Sequence, residues 1–320
     1  MTGTESQTQT SVLNVEYGPI EGPKFGLGIH RASLFNCLYK AALKTKIHFI
    51  LGSVIENSHV ELSGRYVTTS KGESHGPYDL VIDASGATSH LSPIKAKALS
   101  FGALWGTVDW IDNSALSSYQ LTQCYKKANK MMGVLPLGTL PDDNTPKAAV
   151  FWSEPRASLP DWPKDSLETW LDEAYDLWPE FEPFISQITH PSQMTPATYS
   201  HGTLEKPYAD KLVIIGDAAH QASPQLGQGA NMALLDAQAL YLGLLKYADM
   251  DKALRYYTRR RYFHVRLYQI FSSIFTPFYQ SDSHILPWLR NHVMNPISQA
   301  WPFKPMLTKL VCGNLIKVKY

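Results

Sequence analysis

The segment from Lys211 to Ala248 constrains the fold more than any other part of this chain. KLVIIGD, at 211–217, is a short apolar run with the length of a buried strand, and it ends in Gly and Asp. The loop AAHQASPQLGQGA follows with almost no charge, and NMALLDAQALYLGLLKYA, at 231–248, has a strongly helical composition. This order of elements predicts an α/β fold in which the end of a strand borders a ligand site.

The residues of this loop suit an organic ligand that carries hydroxyl groups and an anionic part. Asp217 is an acceptor suited to a sugar or polyol hydroxyl. Pro224, Gly227 and Gly229 favour a turn whose backbone N–H groups face a ligand, and the helix beginning near Gly229 presents its positive N-terminal end. The alternative is an ordinary strand, loop and helix in which the glycines only permit tight packing.

The string IGDAAHQASPQLGQGANMALLDAQAL resembles the second flavin-binding motif of FAD-dependent monooxygenases of the aromatic hydroxylase type, which share the p-hydroxybenzoate hydroxylase fold. The resemblance implies that Asp217 binds the ribityl chain and that residues 224–229 lie against the isoalloxazine ring. The positive end of the helix suits the negative charge at N1 of a reduced flavin. The cofactor-binding residues that the resemblance implies are Arg31, Gly216, Asp217, Pro224, Gly227, Gln228, Gly229, Ala230 and Asn231.

Two other segments are similar to the same family. HRASLFNCL, at 30–38, resembles the stretch in which an arginine, here Arg31, reaches the cofactor. YDLVIDASGATS, at 78–89, resembles the motif near the pyrophosphate, but Ser85 stands where the family usually has an acid. No G-x-G-x-x-G turn precedes them, and the near match at 26–31 lacks the third glycine. The resemblance therefore extends from about Gly26 to the C-terminus of a member without the first β-α-β unit.

The fold class expected is α/β, with an incomplete Rossmann-like FAD/NAD(P)-binding domain, an inserted β-sheet substrate domain and C-terminal helices. Apolar spacing predicts an amphipathic helix at 30–43, a helix capped by Ser166 and a long helix from Asp251 to about Thr276. The predicted strands are 47–54, 59–63, 65–70, 78–86, 103–110, 119–126, 131–138 and 148–154. The predicted domains are a flexible segment at 1–25, an FAD-binding domain at 26–97 and 200–275, a substrate domain at 98–199 and a helical, aromatic segment at 276–320.

Composition excludes several classes of protein. With 44% hydrophobic residues the chain has enough apolar surface to fold, and 29 basic residues nearly balance 28 acidic ones, so a nucleic-acid partner has no electrostatic support. The three cysteines are too few and too scattered for a disulfide framework, which favours a reducing compartment. No secretory signal and no membrane-length apolar stretch occur in the sequence, so we expect a cytoplasmic location.

Other chemically active residues have simpler interpretations. His220 is expected to be a hydrogen-bonded loop histidine. The cluster of Arg259, Arg260, Arg261, His264 and Arg266 is expected to lie on the solvated face of a helix, with binding of an acidic partner as the alternative. Core packing is the default for Trp288, Trp301 and Phe303. No metal-ligand spacing or nucleophile elbow is present. The candidate wall residues of a substrate pocket are Trp105, Tyr125 and Trp152.

The resemblance implies an FAD-dependent monooxygenase that uses NAD(P)H and O2 to hydroxylate an aromatic or similarly apolar small molecule. It assigns no catalytic residue, and a homodimer is left open. Two alternatives also stay open at this point. In the first alternative, the chain is a truncated, catalytically inactive homologue that acts as a binding protein. In the second, it is an incomplete product of a gene for a working enzyme.

Overall fold

The computed structural model describes residues 1–16, 26–163 and 166–313. The strands are β1 Thr2–Glu5, β2 Ser11–Asn14, β3 Ile55–Val60, β4 Arg65–Thr69, β5 Ser74–Tyr78, β6 Val81–Asp83, β7 Lys97–Asp109, β8 Thr122–Lys126, β9 Lys130–Leu140, β10 Asp143–Pro155, β11 Met194–Thr203, β12 Tyr208–Ala209, β13 Leu212–Ile214 and β14 His220–Gln221. The helices are α1 Arg31–Leu43, α2 Leu167–Leu177, α3 Glu182–Ile185, α4 Gly229–Lys246, α5 Met250–Tyr279, α6 Ile285–Leu289, α7 Asn295–Gln299 and α8 Phe303–Val311.

The chain divides into two compact units. Of the residues that the structure describes, the first unit comprises 1–16, 26–47, 99–163, 166–198 and 275–313, and the second comprises 48–98 and 199–274. Residues 26–47, expected with the FAD-binding domain, therefore belong to the first unit. Mixed α/β architecture is confirmed, and so are the helices that follow α5. Among the described residues, no helix combines the length and apolarity needed to cross a membrane.

A large sheet dominates the first unit. Within this unit the strand order is β2-β1-β8-β9-β10-β7-β11. Strand β1 is parallel to β8, whereas β8 with β9, β9 with β10 and β10 with β7 are antiparallel pairs. Apolar side chains from β7, β9 and β10 meet those of α2 and α3 in one core, where Trp152 and Phe181 are fully buried. The four predicted strands of this block, residues 103–154, are confirmed.

The first residues of the chain do not form the flexible segment that their polar composition suggested. Thr2–Glu5 and Ser11–Asn14 are paired strands, and Gly3, Glu5 and Val12 contribute to the buried side of the sheet or its close contacts. Backbone pairing with β8 stabilises these strands although few of their side chains are apolar. The rest of the predicted segment, residues 17–25, lies outside the described residues.

Helix α1 is confirmed at Arg31–Leu43, but none of its residues is buried. His30 caps it, since its Nδ1 accepts from the Ala32 N–H at 3.1 Å. Helix α2 is confirmed as well, and the Ser166 Oγ accepts from the Thr169 N–H at 3.0 Å as its sequence predicts.

The second unit contains two small sheets. The antiparallel order β3-β4-β5 is a meander, as predicted, but its strands differ in part. The strand at 65–70 is confirmed, the one predicted at 59–63 overlaps only the end of β3, β5 was not predicted, and 47–54 is wrong because that segment forms no strand. Ile47 and Leu51 in this segment are exposed, so no burial of apolar side chains stabilises a strand there. The other sheet has the order β12-β13-β6, and β6 runs parallel to β13. Helices α4 and α5 pack against β13 through Val213, Leu240 and Leu254.

Candidate functional site

The candidate site lies at the carboxyl edge of the parallel strand pair in the second unit. Asp83, the last residue of β6, pairs with Ile214, the last residue of β13, and the Ile215 N–H donates to the Asp83 carbonyl at 2.9 Å. Ligands of open α/β sheets bind beyond the carboxyl ends of such strands. The segments that follow β6 and β13 therefore determine what this edge can bind.

The chain turns sharply directly after β13. Gly216 has φ +61°, a left-handed conformation that L side chains rarely adopt, and a Cβ placed there would lie 3.3 Å from the Ala233 Cβ. A short 3-10 turn covers Gly216–Ala218. Asp217 is exposed within it, while Gly216 and Ala218 are buried. The turn thus places one carboxylate in solvent at the end of the strand.

The loop between β14 and α4 leaves an open surface beside that turn. Pro224–Leu226 form a 3-10 turn, and Gly227 ends it with φ +61° and an N–H that donates to the Pro224 carbonyl at 2.9 Å. A Cβ at Gly227 or Gly229 would meet no atom within 4 Å. The glycines therefore keep this surface free of side chains on a backbone that is itself rigidly turned.

Helix α4 begins at this surface without a side-chain cap. Gln228 occupies the N-cap position but accepts no backbone N–H, and its Oε1 accepts from the Asn231 Nδ2 at 2.8 Å instead. The first-turn N–H groups of a helix have no acceptor within the helix. At Gly229, Ala230 and Asn231 they form, with the helix dipole, a region suited to a carbonyl oxygen or an anionic group.

A buried charged network lies directly behind the Gly216 turn. Asp236, on α4, is completely buried, and its Oδ2 accepts from the Gly216 N–H at 2.9 Å and lies 2.6 Å from the His220 Nε2. Its Oδ1 accepts from the Arg261 Nε at 2.6 Å. We call Asp236, Arg261 and His220 the Asp236 network.

The Asp236 carboxylate is ionised in this environment. Burial acts to raise its pKa, but the hydrogen bond and charge of His220 and the charge and hydrogen bond of Arg261 outweigh burial and hold the pKa below its ordinary value. Nearby, burial first and the Asp236 charge second raise the pKa of Tyr257, so this phenol stays neutral. Its hydroxyl donates to the Ile214 carbonyl at 3.2 Å.

The segment after β6 is organised by Asp83. Its Oδ1 accepts from the Ser85 N–H at 3.0 Å and the Ser85 Oγ at 2.6 Å, and its Oδ2 accepts from the Ser89 Oγ at 2.5 Å. Ser85, which replaces an acid of the family pattern, therefore serves here as a donor to a buried carboxylate. The Gln221 Nε2 donates to the Ala87 carbonyl at 3.1 Å, which ties this segment to β14.

Eight of the nine predicted cofactor-binding residues lie together in the second unit, in the Gly216 turn and between Pro224 and Asn231. Arg31 lies in the first unit, where it is the exposed first residue of α1. The sequence interpretation missed Asp236. The signal for it was the single acid within the apolar stretch ALLDAQAL. Because acids are rarely buried without a partner, an acid at such a position indicates a paired carboxylate.

The predictions for Arg261 and His264 need correction. Arg261 and His264 are 2% and 1% exposed, so they do not lie on a solvated helix face, although Arg259 does. The negative charge of Asp236 makes the burial of Arg261 tolerable. The hydrogen-bonded state of His220 is confirmed.

The aromatic residues also differ from expectation. Tyr125 and Trp152 pack inside cores of the first unit and are 1% and 0% exposed, so they cannot form the wall of an open pocket. Trp288 and Trp301, for which core packing was the default, are 58% and 86% exposed. Aromatic composition alone does not distinguish these positions.

Comparison with known proteins adds to this geometry. A family model described as FAD binding domain matches residues 79–268. Over 144 residues the chain is 31% identical to the inferred FAD-dependent monooxygenase YetM of Bacillus subtilis, a match that covers 44% of this chain and 37% of YetM. The chain thus spans little more than a third of that relative.

Two solved structures share the fold. The tetrameric form of 2-methyl-3-hydroxypyridine-5-carboxylic acid oxygenase superposes with a TM-score of 0.71 at 18% identity, covering 96% of this chain and 77% of that one. HpxO of Klebsiella pneumoniae, solved with FAD and uric acid, gives 0.65 at 20% identity, covering 83% of this chain and 68% of that one. The family match spans the parallel strands, the Gly216 turn, the glycine loop and most of α5, which is well over half of the 320 residues, and the chain therefore belongs to the FAD binding domain family.

Proposed function

We propose that this chain is part of an FAD-dependent monooxygenase that uses NAD(P)H and O2 to hydroxylate an aromatic or similarly apolar small molecule. The observation that carries the proposal is the exposed Asp217 beside an open glycine loop and an uncapped helix start, in a member of the FAD binding domain family. The oxygenase and monooxygenase names of its relatives support the reaction, and the uric acid bound to HpxO supports a small cyclic substrate.

The residues of the site fit a flavin. An exposed carboxylate suits a polyol chain, an open glycine surface suits a flat ring, and free first-turn N–H groups suit a ring carbonyl. The space that a Cβ would occupy at Gly227 and Gly229 is open. All three features lie within residues 216–231, between the end of β13 and the first turn of α4.

In this proposal each part of the chain has a separate role. Asp217 accepts a hydrogen bond from a ribityl hydroxyl, and the surface from Pro224 to Gly229 holds one face of the ring. The N–H groups of Gly229, Ala230 and Asn231, with the α4 dipole, stabilise negative charge on the adjacent edge of the ring. A bound FAD supplies the redox chemistry, and the chain supplies orientation and electrostatic support. The role of Arg31 rests on the resemblance of HRASLFNCL alone.

The cellular setting follows from the same proposal. The three cysteines form no disulfide among the described residues, which fits the reducing cytoplasm. The acidic and basic residues balance, so a small-molecule substrate is favoured over a nucleic acid. The exposed aromatic side chains of the segment after α5, Trp288 and Trp301, are the surface on which a second copy of the chain would be sought.

The deciding experiment measures flavin retention. The purified chain is mixed with FAD and desalted, and the visible spectrum of the protein fraction is recorded. We expect bound flavin, and we expect Asp217→Ala to raise the FAD dissociation constant by about tenfold or more, because a hydrogen bond to a charged group contributes about 1.5 to 3 kcal/mol. Consumption of O2 and NAD(P)H with a panel of hydroxylated aromatic acids then tests the reaction.

Asp210→Ala is the matched control. It removes an exposed carboxylate from the same unit, but at the amino end of β13, away from the proposed site. Its FAD dissociation constant should stay within twofold of that of the unaltered chain. If the unaltered chain retains no flavin at any added concentration of FAD, the proposed function is wrong for this chain.

A further inference from the structure

The Asp236 network joins four separate segments of the second unit at one carboxylate. The donors come from the turn after β13, from β14 and from α5, while the acceptor lies on α4. Both Asp236 oxygens are used, and the Asp236 and Arg261 side chains are 0% and 3% exposed. The Gly216 N–H, the His220 Nε2 and the Arg261 Nε all point to the Asp236 carboxylate, which is itself shielded from solvent.

Arg261 is itself held from several directions. Its Nη1 lies 2.6 Å from the His264 Nδ1, and its Nη2 donates to the Met232 carbonyl at 3.3 Å. These contacts fix the plane of the guanidinium group, so Arg261 can present its Nε to Asp236 in only one direction. The network is therefore a rigid support and not a pair of mobile surface charges.

Apolar residues would fill this space at a lower energetic cost. Removing charged groups from water is expensive, and a buried ion pair often stabilises a fold no more than well-packed hydrophobic residues of similar size. A contribution to the stability of the fold therefore does not by itself explain why Asp236, Arg261 and His220 are buried together. The specific effect of the network is geometric, since it fixes the direction of one backbone N–H group.

That N–H group belongs to the residue that precedes the exposed carboxylate. Gly216 is held at φ +61° and donates to the Asp236 Oδ2 at 2.9 Å. A rotation of the peptide at Gly216 would break this bond and move Asp217 with it. The side chain that contacts solvent is consequently positioned by a residue nineteen places further along the chain.

We propose that Asp236, held by Arg261 and His220, is a positioning residue that fixes the Gly216 turn and thereby places the Asp217 carboxylate for the polyol chain of the cofactor. This inference rests on the proposed function for its ligand. The network itself acts on the protein backbone, so it has a measurable effect in the absence of any ligand.

The ligand experiment is a double-mutant cycle with FAD as the probe. Asp236→Asn keeps the size of the side chain but removes its charge and leaves one oxygen for three donors. We expect it to raise the FAD dissociation constant by about tenfold in the otherwise unaltered chain. When Asp217 is already alanine, the same substitution should raise it by less than about twofold, because the effects of substituting two residues that act through one another do not add. A purely structural role gives the same factor in both backgrounds, and that result would overturn the proposal.

The matched control is Asp251→Asn. Asp251 forms an ion pair with Arg255 on α5, but both side chains are more than half exposed. This substitution removes the same charge from the same unit without touching the Gly216 turn. Its FAD dissociation constant should remain within twofold of that of the unaltered chain in both backgrounds.

A second experiment needs no flavin. Amide hydrogen exchange of the ligand-free chain should become at least tenfold faster in the peptide covering 212–220 of Asp236→Asn, while peptides of β9 and β10 stay unchanged. Unaltered exchange at 212–220 would refute the positioning role. A chain that binds no FAD but shows the expected exchange would refute the proposed function and retain the positioning of the turn.

A conservative variant protects the test against a folding failure. Arg261→Lys keeps one charged donor towards Asp236 but loses the contacts of the planar guanidinium group. We expect it to fold and to raise the FAD dissociation constant less than Arg261→Met does. Equal effects of lysine and methionine would contradict a role for the Arg261 charge in holding Asp236.

Discussion

The two units of this chain differ in what surrounds their central strands, although the first unit also buries one ion pair, between Glu5 and Arg290. In the first, large apolar side chains fill the space between the sheet and α2, with Trp152 against Trp170 at a centroid distance of 5.8 Å and Phe181 fully buried beside them. In the second, the apolar clusters around Val213 and Ile214 are smaller, and the region behind the Gly216 turn is occupied by the Asp236 network.

This difference corresponds to a difference in what each region must fix. Apolar packing is not directional, so the first unit gains cohesion and tolerates exchange of similar side chains. Charged hydrogen bonds have strict geometry, so the second unit gains the position of one turn at the cost of burying ions. Substitutions in the two units should therefore differ in kind as well as in size.

The largest effect is expected in the apolar core. Trp152→Ala removes a completely buried side chain and should lower the free energy of unfolding of the first unit by about 4 kcal/mol. Denaturant titration followed by tryptophan fluorescence and far-ultraviolet circular dichroism measures this loss. Tyr119→Ala is the control, because Tyr119 is 97% exposed and its loss should change the free energy by less than about 0.5 kcal/mol.

The second effect tests the charged core. Arg261→Met leaves the buried Asp236 without its arginine and should lower the free energy of unfolding of the second unit by about 3 kcal/mol. The same titration measures it, with hydrogen exchange in α4 as the local probe. Arg255→Met, which breaks an exposed pair, should change the free energy of unfolding far less than Arg261→Met does. If both variants cost the same, the comparison of the two units is wrong.

The third effect is a dependence on pH. The pKa of Asp236 is lower in the folded chain than its ordinary value of 3.8, so its contribution to stability is complete above about pH 4 and is lost as the pH falls through the lowered value. The difference in unfolding midpoint between the unaltered chain and Asp236→Asn should therefore shrink between pH 5 and pH 2, as measured by denaturant titration. A difference that is constant over this range would contradict an ionised Asp236.

The smallest effect compares two helix starts. Ser166→Ala removes a side-chain cap from α2 and should cost about 1 kcal/mol, whereas Gln228→Ala at the uncapped start of α4 should cost only a few tenths. Urea titration of both variants measures the two values. A loss at Gln228 as large as that at Ser166 would mean that the start of α4 is already satisfied by its own side chain, and would weaken the proposed ligand contact there.

Local patterns in the sequence predicted much of this structure. The Ser166 cap, the strands between 103 and 154 and the succession of β13, loop and α4 all follow from signals contained within about twenty residues. The strands β1 and β2 carried no such signal, because their polar sequence forms strands only through the pairing of β1 with β8 and of β2 with β1. The predicted strand at 47–54 had the opposite fault, since its composition favours a strand but no neighbouring strand pairs with it.

The site was predicted only in part for the same reason. Eight of the nine residues expected to contact the cofactor lie in one continuous motif, so their proximity could be inferred from sequence. Asp236 and Arg261 are 25 residues apart and on different helices, and nothing local indicates that they meet. The local sequence of the run Arg259 to Arg261 does not indicate whether a given arginine is solvated or buried against an acid.

The pairing of β1 with β8 also determines when the first unit can form during synthesis. Strand β1 cannot pair with β8 until residue 126 has been synthesised. The Glu5 carboxylate cannot contact Arg290, which is 285 residues further along the chain and 3.1 Å away in the folded structure, until Arg290 has been synthesised. Until the last part of the chain leaves the ribosome, the edge of β8 and the Glu5 side chain lack these contacts. Such long-range closure slows folding and leaves strand edges open to association with other chains.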